Sequence, residues 1–105
     1  MDEHMYDRTA LLLGEESIRR LKAAKVAVIG LGGVGGIAAE ALVRTGVGRI
    51  VLVDSDRVAL SNLNRQIVAL HSTIGRLKVD VMRDRLLDIH PDLSIEVHPV
   101  FVSPE

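Results

Sequence analysis

The chain has no cysteine and no tryptophan, and its only aromatic residues are Tyr6 and Phe101. The missing thiols exclude disulfides, thiolate catalysis and zinc knuckles within these 105 residues. With so few rings, any core must be aliphatic, the composition typical of parallel sheets rich in Val, Ile and Leu. Neither sign of charge dominates: 13 basic and 14 acidic residues are interspersed, for a net charge of −1. There is thus no global basic footprint for nucleic acid, and any RNA contact has to be local. The start, Met1-Asp2-Glu3-His4, has neither the basic nor the apolar region of a signal peptide. No run approaches the ~20 apolar residues of a membrane span, so a cytoplasmic protein with no membrane contact is expected.

What is present is apolar and periodic. Hydrophobic residues make up 48% of the chain and the mean hydropathy is +0.26. A chain of this size buries about 65% of its unfolded surface, so this composition suits a core shared with something else. Residues 1–24 read as an arm and a helix over 15–23, with Glu15-Glu16 at its start and Arg19, Arg20 and Lys22 toward its end, matching the helix dipole. Residues 25–105 read as one β-α-β-α-β unit. Its strands are Lys25 to Ile29, Arg49 to Val53 and Ser94 to Val102, and its helices about Val34 to Thr45 and Arg76 to Ile89. The first of these helices sets Val34, Ile37, Ala38, Ala41, Leu42 and Thr45 at helical spacing beside a small face of Gly35, Gly36 and Ala39. The polar stretch up to Ser72-Thr73 reads as a loop with a short helical turn. The fold class is α/β: a Rossmann-like parallel sheet with flanking helices, the first three-stranded half of a doubly wound nucleotide-binding domain. Strand one lies at the centre of such a sheet once a fourth strand is added. Without it the apolar edge of Val26 to Ile29 is unpaired, and self-association or origin in a longer protein is expected.

Gly30-Leu31-Gly32-Gly33-Val34-Gly35-Gly36 directly follows the apolar run Val26-Ala27-Val28-Ile29. Gly30, Gly32 and Gly35 satisfy G-x-G-x-x-G, a spacing that lets phosphates approach a backbone at the positive end of a helix but that also occurs in ordinary strand-to-helix turns. Strand two ends in Asp54, about 20 residues beyond the glycines, where a carboxylate can take both ribose hydroxyls. Downstream lie Asp56, Asn62, Asn64, Arg65, Gln66 and Lys78, a polar and cationic set that a dinucleotide does not need and a triphosphate does. Each cation near ~4 Å of a phosphate contributes roughly 4 kcal/mol at an effective dielectric near 20, before desolvation.

These motifs, G-L-G-G-V-G, L-V-D-S-D, N-L-N-R-Q and G-R-L-K in that order, resemble the adenylating enzymes of the ubiquitin-activating superfamily, which includes the activators of bacterial sulfur-carrier proteins. Arg8-Thr9 with Leu12 and Gly14, the stretch Glu40 to Gly48, Ile67 with Ala69-Leu70, and Ile89-His90-Pro91 make the chain most similar to the tRNA threonylcarbamoyladenosine dehydratase branch. The likeness covers residues 8 to 102, the front part of a family whose members are more than twice as long. It implies adenylation of a carboxylate by ATP with Mg²⁺. Gly30, Gly32, Gly33 and Gly35 would lie along the phosphates, Asp54 would hold the ribose, and Asn62, Arg65 and Gln66 would complete the nucleotide site. Lys78 would neutralise charge near the α-phosphate, and Arg8 would reach across a homodimer to the partner's triphosphate. Asp56 is a candidate magnesium or outer-shell ligand, and the metal set is otherwise unknown. The implied substrate is tRNA, and the family is associated with a cysteine desulfurase system.

The residues taken singly leave plainer readings open. Lys78 alone is equally a solvated helix residue, Arg8 a flexible surface charge, and Asp56 the cap of a turn. His4, His71, His90 and His98 are not at ligand spacing. Asp80, Asp84 and Asp88 with Arg76, Arg83 and Arg85 read as a solvated helix face with local ion pairs. Three other functions stay open: a sulfur-carrier activator, an NAD-linked oxidoreductase, and a non-catalytic fragment or dimerisation module.

Overall fold

The computed structural model describes residues 14–101. They form, in order, α1 (Glu15–Ala23), β1 (Lys25–Ile29), α2 (Gly33–Thr45), β2 (Arg49–Val53), two 3₁₀ turns (Leu60–Asn62 and His71–Thr73), α3 (Lys78–Ile89) and β3 (Ser94–His98). The three strands make one parallel sheet in the order β1-β2-β3. Their register is Val28↔Leu52↔Val97 at the centre and Ile29↔Val53↔His98 at the C-terminal end. This is the α/β half-sheet expected, with β1 at an edge among the described residues.

Side-chain alternation decides which face is covered. Val28, Ile50 and Leu52 point into a core with Val43, Val79, Met82 and Leu86 from α2 and α3. On the opposite face Lys25, Ala27, Ile29, Arg49, Glu96 and His98 are exposed. Lys25 there reaches Glu96 at 3.4 Å, and His98 lies 3.4 Å from the same carboxylate. Parallel sheets are normally covered on both faces; among the described residues this one is layered on one.

Three element boundaries differ from the sequence reading. β3 stops at His98 rather than running toward Val102, which lies outside the described residues. It pairs along β2 only as far as β2 extends, and Val53 is matched by His98. α3 begins at Lys78, not Arg76, because the residues before it are drawn into a different pairing: Val58 N–H donates to Arg76 O at 2.9 Å and Arg57 bridges Leu77. α2 begins at Gly33, and the face it buries is the small one, Gly36, Ala39 and Val43. Val34 and Ile37 are left 83% and 55% exposed. Close approach of helix to sheet, which only small side chains permit, outweighed burial of the larger stripe. The long polar segment is more structured than a single turn: Asn62 Oδ1 accepts Ala59 N–H at 2.8 Å and Thr73 Oγ1 accepts Leu70 N–H at 2.9 Å, each fixing one 3₁₀ turn.

Candidate nucleotide site

The C-terminal ends of the strands in an open α/β sheet are where ligands bind, and of the candidate residues Gly30, Asp54 and Asp56 line one cleft there. Gly30 leaves β1 with φ +88°, a conformation that disfavours any side chain, while its N–H donates to Val53 O at 2.8 Å. A Cβ on Gly35 would lie 1.7 Å from Gly30 O, so α2 can start against the strand only because that Cβ is missing. By contrast, a Cβ on Gly33 would meet nothing within 4 Å. The first intrahelical bond of α2 runs from Gly36 N–H to Gly32 O at 3.2 Å, and no side chain caps the helix. The leading N–H groups therefore face open space at the positive end of the helix.

Asp54 links this turn to the next segment. Its Oδ2 accepts Leu31 N–H at 2.6 Å and its Oδ1 accepts Asp56 N–H at 2.7 Å. Asp56 O in turn accepts Lys78 N–H at 3.0 Å. A continuous chain of hydrogen bonds thus runs from the glycine turn through the end of β2 to the start of α3. Arg57, whose guanidinium donates to Gly75 O at 2.8 Å, fastens the same junction.

Lys78 is only 5% exposed, so the plain reading of it as a solvated helix residue is wrong. Among the described residues its ammonium forms no ion pair and no hydrogen bond. A lysine stem can be buried while its ammonium stays in contact with solvent, which leaves a cation at the start of α3 with no carboxylate partner among the described residues. Gln66 is also buried, its Oε1 has no partner among the described residues, and its amide nitrogen would sit 3.6 Å from a Cβ on Gly32. Asn62 is buried, and its carbonyl oxygen is committed to the Ala59 cap. Arg65 is exposed; it donates to Ser61 O at 3.0 Å and Asn64 Oδ1 at 2.9 Å, both uncharged.

Arg19 and Arg20 pair with Glu16, Arg44 and Arg85 with Glu40, Arg76 with Asp84 and Arg83 with Asp80. The cations Arg57, Arg65 and Lys78, which lie between β2 and the first residue of α3, have no carboxylate partner among the described residues. Lys22 on α1 and Arg49 in β2 likewise have no carboxylate partner among the described residues, and Arg76 within the segment is paired, so unpaired cations are not confined to it.

Beside the glycine turn, a cleft of about 230 Å³ is floored by Ile29, Val53, Val100 and Phe101 and edged by Gly30, Asp54 and Asp56. An apolar floor with a carboxylate at its rim suits a base and its ribose. Phe101, 80% exposed, was not singled out as a site residue from sequence; the available signal was a lone aromatic just past the last strand. The Asp56 carboxylate is exposed and forms no bond among the described residues. It fits one ligand of a Mg²⁺ ion otherwise held by phosphates and water. No group of three His, Cys, Asp or Glu side chains is placed to make a protein cage among the described residues. Arg8 lies outside the described residues.

Comparison with known proteins agrees with this geometry. The model of the ThiF family matches residues 6–105. The chain is 49% identical over 102 residues to the tRNA threonylcarbamoyladenosine dehydratase of Bacillus subtilis (strain 168), covering 97% of this chain and 40% of that protein. It is 39% identical to a sulfur carrier protein adenylyltransferase of Thermus thermophilus, covering 95% of this chain and 38% of that protein. A solved structure of the E. coli tRNA N6-threonylcarbamoyladenosine dehydratase in complex with ATP superposes with a TM-score of 0.92 at 44% identity, over 95% of this chain and 41% of that one. The chain thus spans about two fifths of the length of these relatives, and across that span it belongs to the ThiF family.

Proposed function

We propose that this chain is the nucleotide-binding part of an ATP-dependent adenylating enzyme that acts on the threonyl carboxylate of threonylcarbamoyladenosine in tRNA. The observation that carries the nucleotide reading is Lys78: a largely buried lysine whose ammonium has no ion pair among the described residues, opening a helix whose first N–H is tied to Asp56 and hence to the glycine turn. The RNA substrate is favoured over a carrier protein by the 49% identity to a tRNA-modifying relative against 39% to a carrier-protein adenylyltransferase.

In this reading a carboxylate oxygen of the substrate attacks the α-phosphorus of ATP, a new P–O bond forms, and the bond to the β-phosphate oxygen breaks. Pyrophosphate leaves, and the product is an acyl-adenylate. A nucleophile of the same threonylcarbamoyl group then displaces AMP by ring closure, for a net loss of water. An internal nucleophile needs little beyond activation and orientation, in keeping with a chain that has no cysteine. The glycine-turn N–H groups and Arg65 bind the phosphates, and Lys78 stabilises the charge that develops at the α-phosphate. Asp54 holds the ribose, while Asn62 and Gln66 present their amides to the nucleotide. Mg²⁺, which offsets phosphate charge when bound, would be held by Asp56. A homodimer, with Arg8 reaching the partner's triphosphate, and a contact with a cysteine desulfurase system belong to the same proposal.

The test is AMP release from ATP by the protein expressed to its native stop codon, with bulk tRNA and again after RNase. AMP formation that disappears with RNase is the expected result. Formation that ignores RNase but requires a small carrier protein moves the substrate to the sulfur-carrier class, and no AMP under either condition refutes the enzymatic reading.

A further inference from the structure

Asp54 has a task that ribose binding does not account for. Both its oxygens are engaged by backbone N–H groups, Leu31 at 2.6 Å and Asp56 at 2.7 Å. Leu31 is the residue between the two glycines of the turn, and its side chain is completely buried. Gly30 before it is held by Val53 O at 2.8 Å. The turn is therefore pinned on both sides of the Gly30–Leu31 peptide, at Gly30 by a carbonyl of β2 and at Leu31 by the carboxylate that follows β2. We propose that Asp54 is a positioning residue for the phosphate-binding turn: it fixes the direction in which the N–H groups of Gly32 and Gly33 point, independently of any ribose. A carboxylate offers about four acceptor sites, so two remain for ribose hydroxyls after the lock is made, and one side chain serves both purposes. The proposal rests on the nucleotide reading of the site only for what the turn binds, not for the lock itself.

The two roles predict effects of opposite sign on a ligand that has phosphates and no sugar. Inorganic tripolyphosphate is the probe. If Asp54 served ribose alone, Asp54→Asn would leave its binding unchanged or tighten it, because a negative charge beside a polyanion has been removed. If Asp54 locks the turn, the new amide sets an N–H donor against one of two backbone N–H donors and the turn loosens. Hydrogen bonds to charged groups contribute enough that tripolyphosphate affinity is expected to fall tenfold or more. Calorimetry on the 105-residue protein, wild type and D54N, reads this directly. Amide exchange of Leu31 is read in parallel, with slow exchange expected in the wild type and at least tenfold faster exchange in D54N at unchanged exchange of β2 amides.

Weakened tripolyphosphate binding with an intact β2 supports the lock. Equal or tighter tripolyphosphate binding with only ATP weakened overturns it. If the wild type binds neither ATP nor tripolyphosphate, the nucleotide reading fails and the lock is judged on Leu31 exchange alone. If D54N does not fold, a fast-exchanging Leu31 amide in the wild type overturns the proposal and a slow one upholds it.

Discussion

Lys78 donates its backbone N–H to the carbonyl of Asp56 at 3.0 Å, so the first turn of α3 and the tail of β2 cannot move independently. Through Asp56 and Asp54 the bond ties the start of α3 to the glycine turn, although the two are separated by more than forty residues of sequence. The intervening segment is held at both ends, by Asp54 at its start and by the Val58–Arg76 and Gly75–Val58 backbone bonds near its close.

Lys78→Met separates binding from folding. Methionine keeps the buried stem and drops a charge that has no ion pair among the described residues, so stability of the nucleotide-free protein should stay within about 1 kcal/mol of the wild type. ATP affinity should fall by roughly tenfold or more, the scale of a lost charge-assisted hydrogen bond. Thermal melts with and without ATP check both halves. A variant that melts well below the wild type without ATP would mean that the lysine is structural.

The glycines of one motif should respond differently to the same change. Gly35→Ala drives a Cβ to 1.7 Å from Gly30 O, a collision with backbone that no rotamer relieves, and at least the ~1–3 kcal/mol of overpacking should be lost. Gly33→Ala meets open space, so its melting curve should match the wild type while the methyl group obstructs a phosphate lying on the turn. Denaturant titration paired with nucleotide binding distinguishes the two.

Much of this was legible in sequence because strand, glycine turn and helix are local patterns. The β1 and β2 bounds, the α/β class and the position of Asp54 follow from apolar runs of four residues, each preceded by a cation, that end at glycine or aspartate. The burial of Lys78 was not legible. It depends on the loop after β2 folding back to pair with residues 75–78, a contact that no periodicity encodes. The face of α2 that packs was misleading for a related reason: Val34 and Ile37 look like core, but the sheet approaches the glycine and alanine side. The pairing of both Asp54 oxygens with backbone is likewise a matter of distance, invisible to spacing alone.

Glu40 should make stability pH-dependent on the acid side. The hydrogen bond from Arg85 holds its carboxyl below the ordinary carboxylate value, with Arg44 at 3.4 Å adding to the effect against some cost of burial. A carboxyl depressed in the folded state stabilises the fold above its unfolded pKa and loses that contribution as pH falls through the folded value. The pair joins α2 to α3, and with the Glu40 side chain 20% exposed, solvent screening limits the contribution to about 1 kcal/mol. Wild type should therefore exceed Glu40→Gln by about that amount above pH 6, and the gap should close below about pH 4. Parallel urea titrations across that range are the measurement, and a gap that persists at low pH would mean that the charge of Glu40 is not its source.

The uncovered sheet face leads to the last prediction. β1 is hydrogen-bonded along one side only among the described residues, and Ile29, its last residue, is 64% exposed, with Phe101 at 80% lining the same cleft. An unpaired parallel edge next to apolar side chains is a template for another chain. The 105-residue protein should accordingly sediment as a concentration-dependent oligomer. Ile29→Lys, which places a charge on that face without touching the buried Val28 and Leu52 layer, should shift it toward monomer while leaving the melting of the core unchanged. A wild type that stays monomeric and folded at high concentration would show that one layer of helices is enough for this sheet, and the edge would then need no partner.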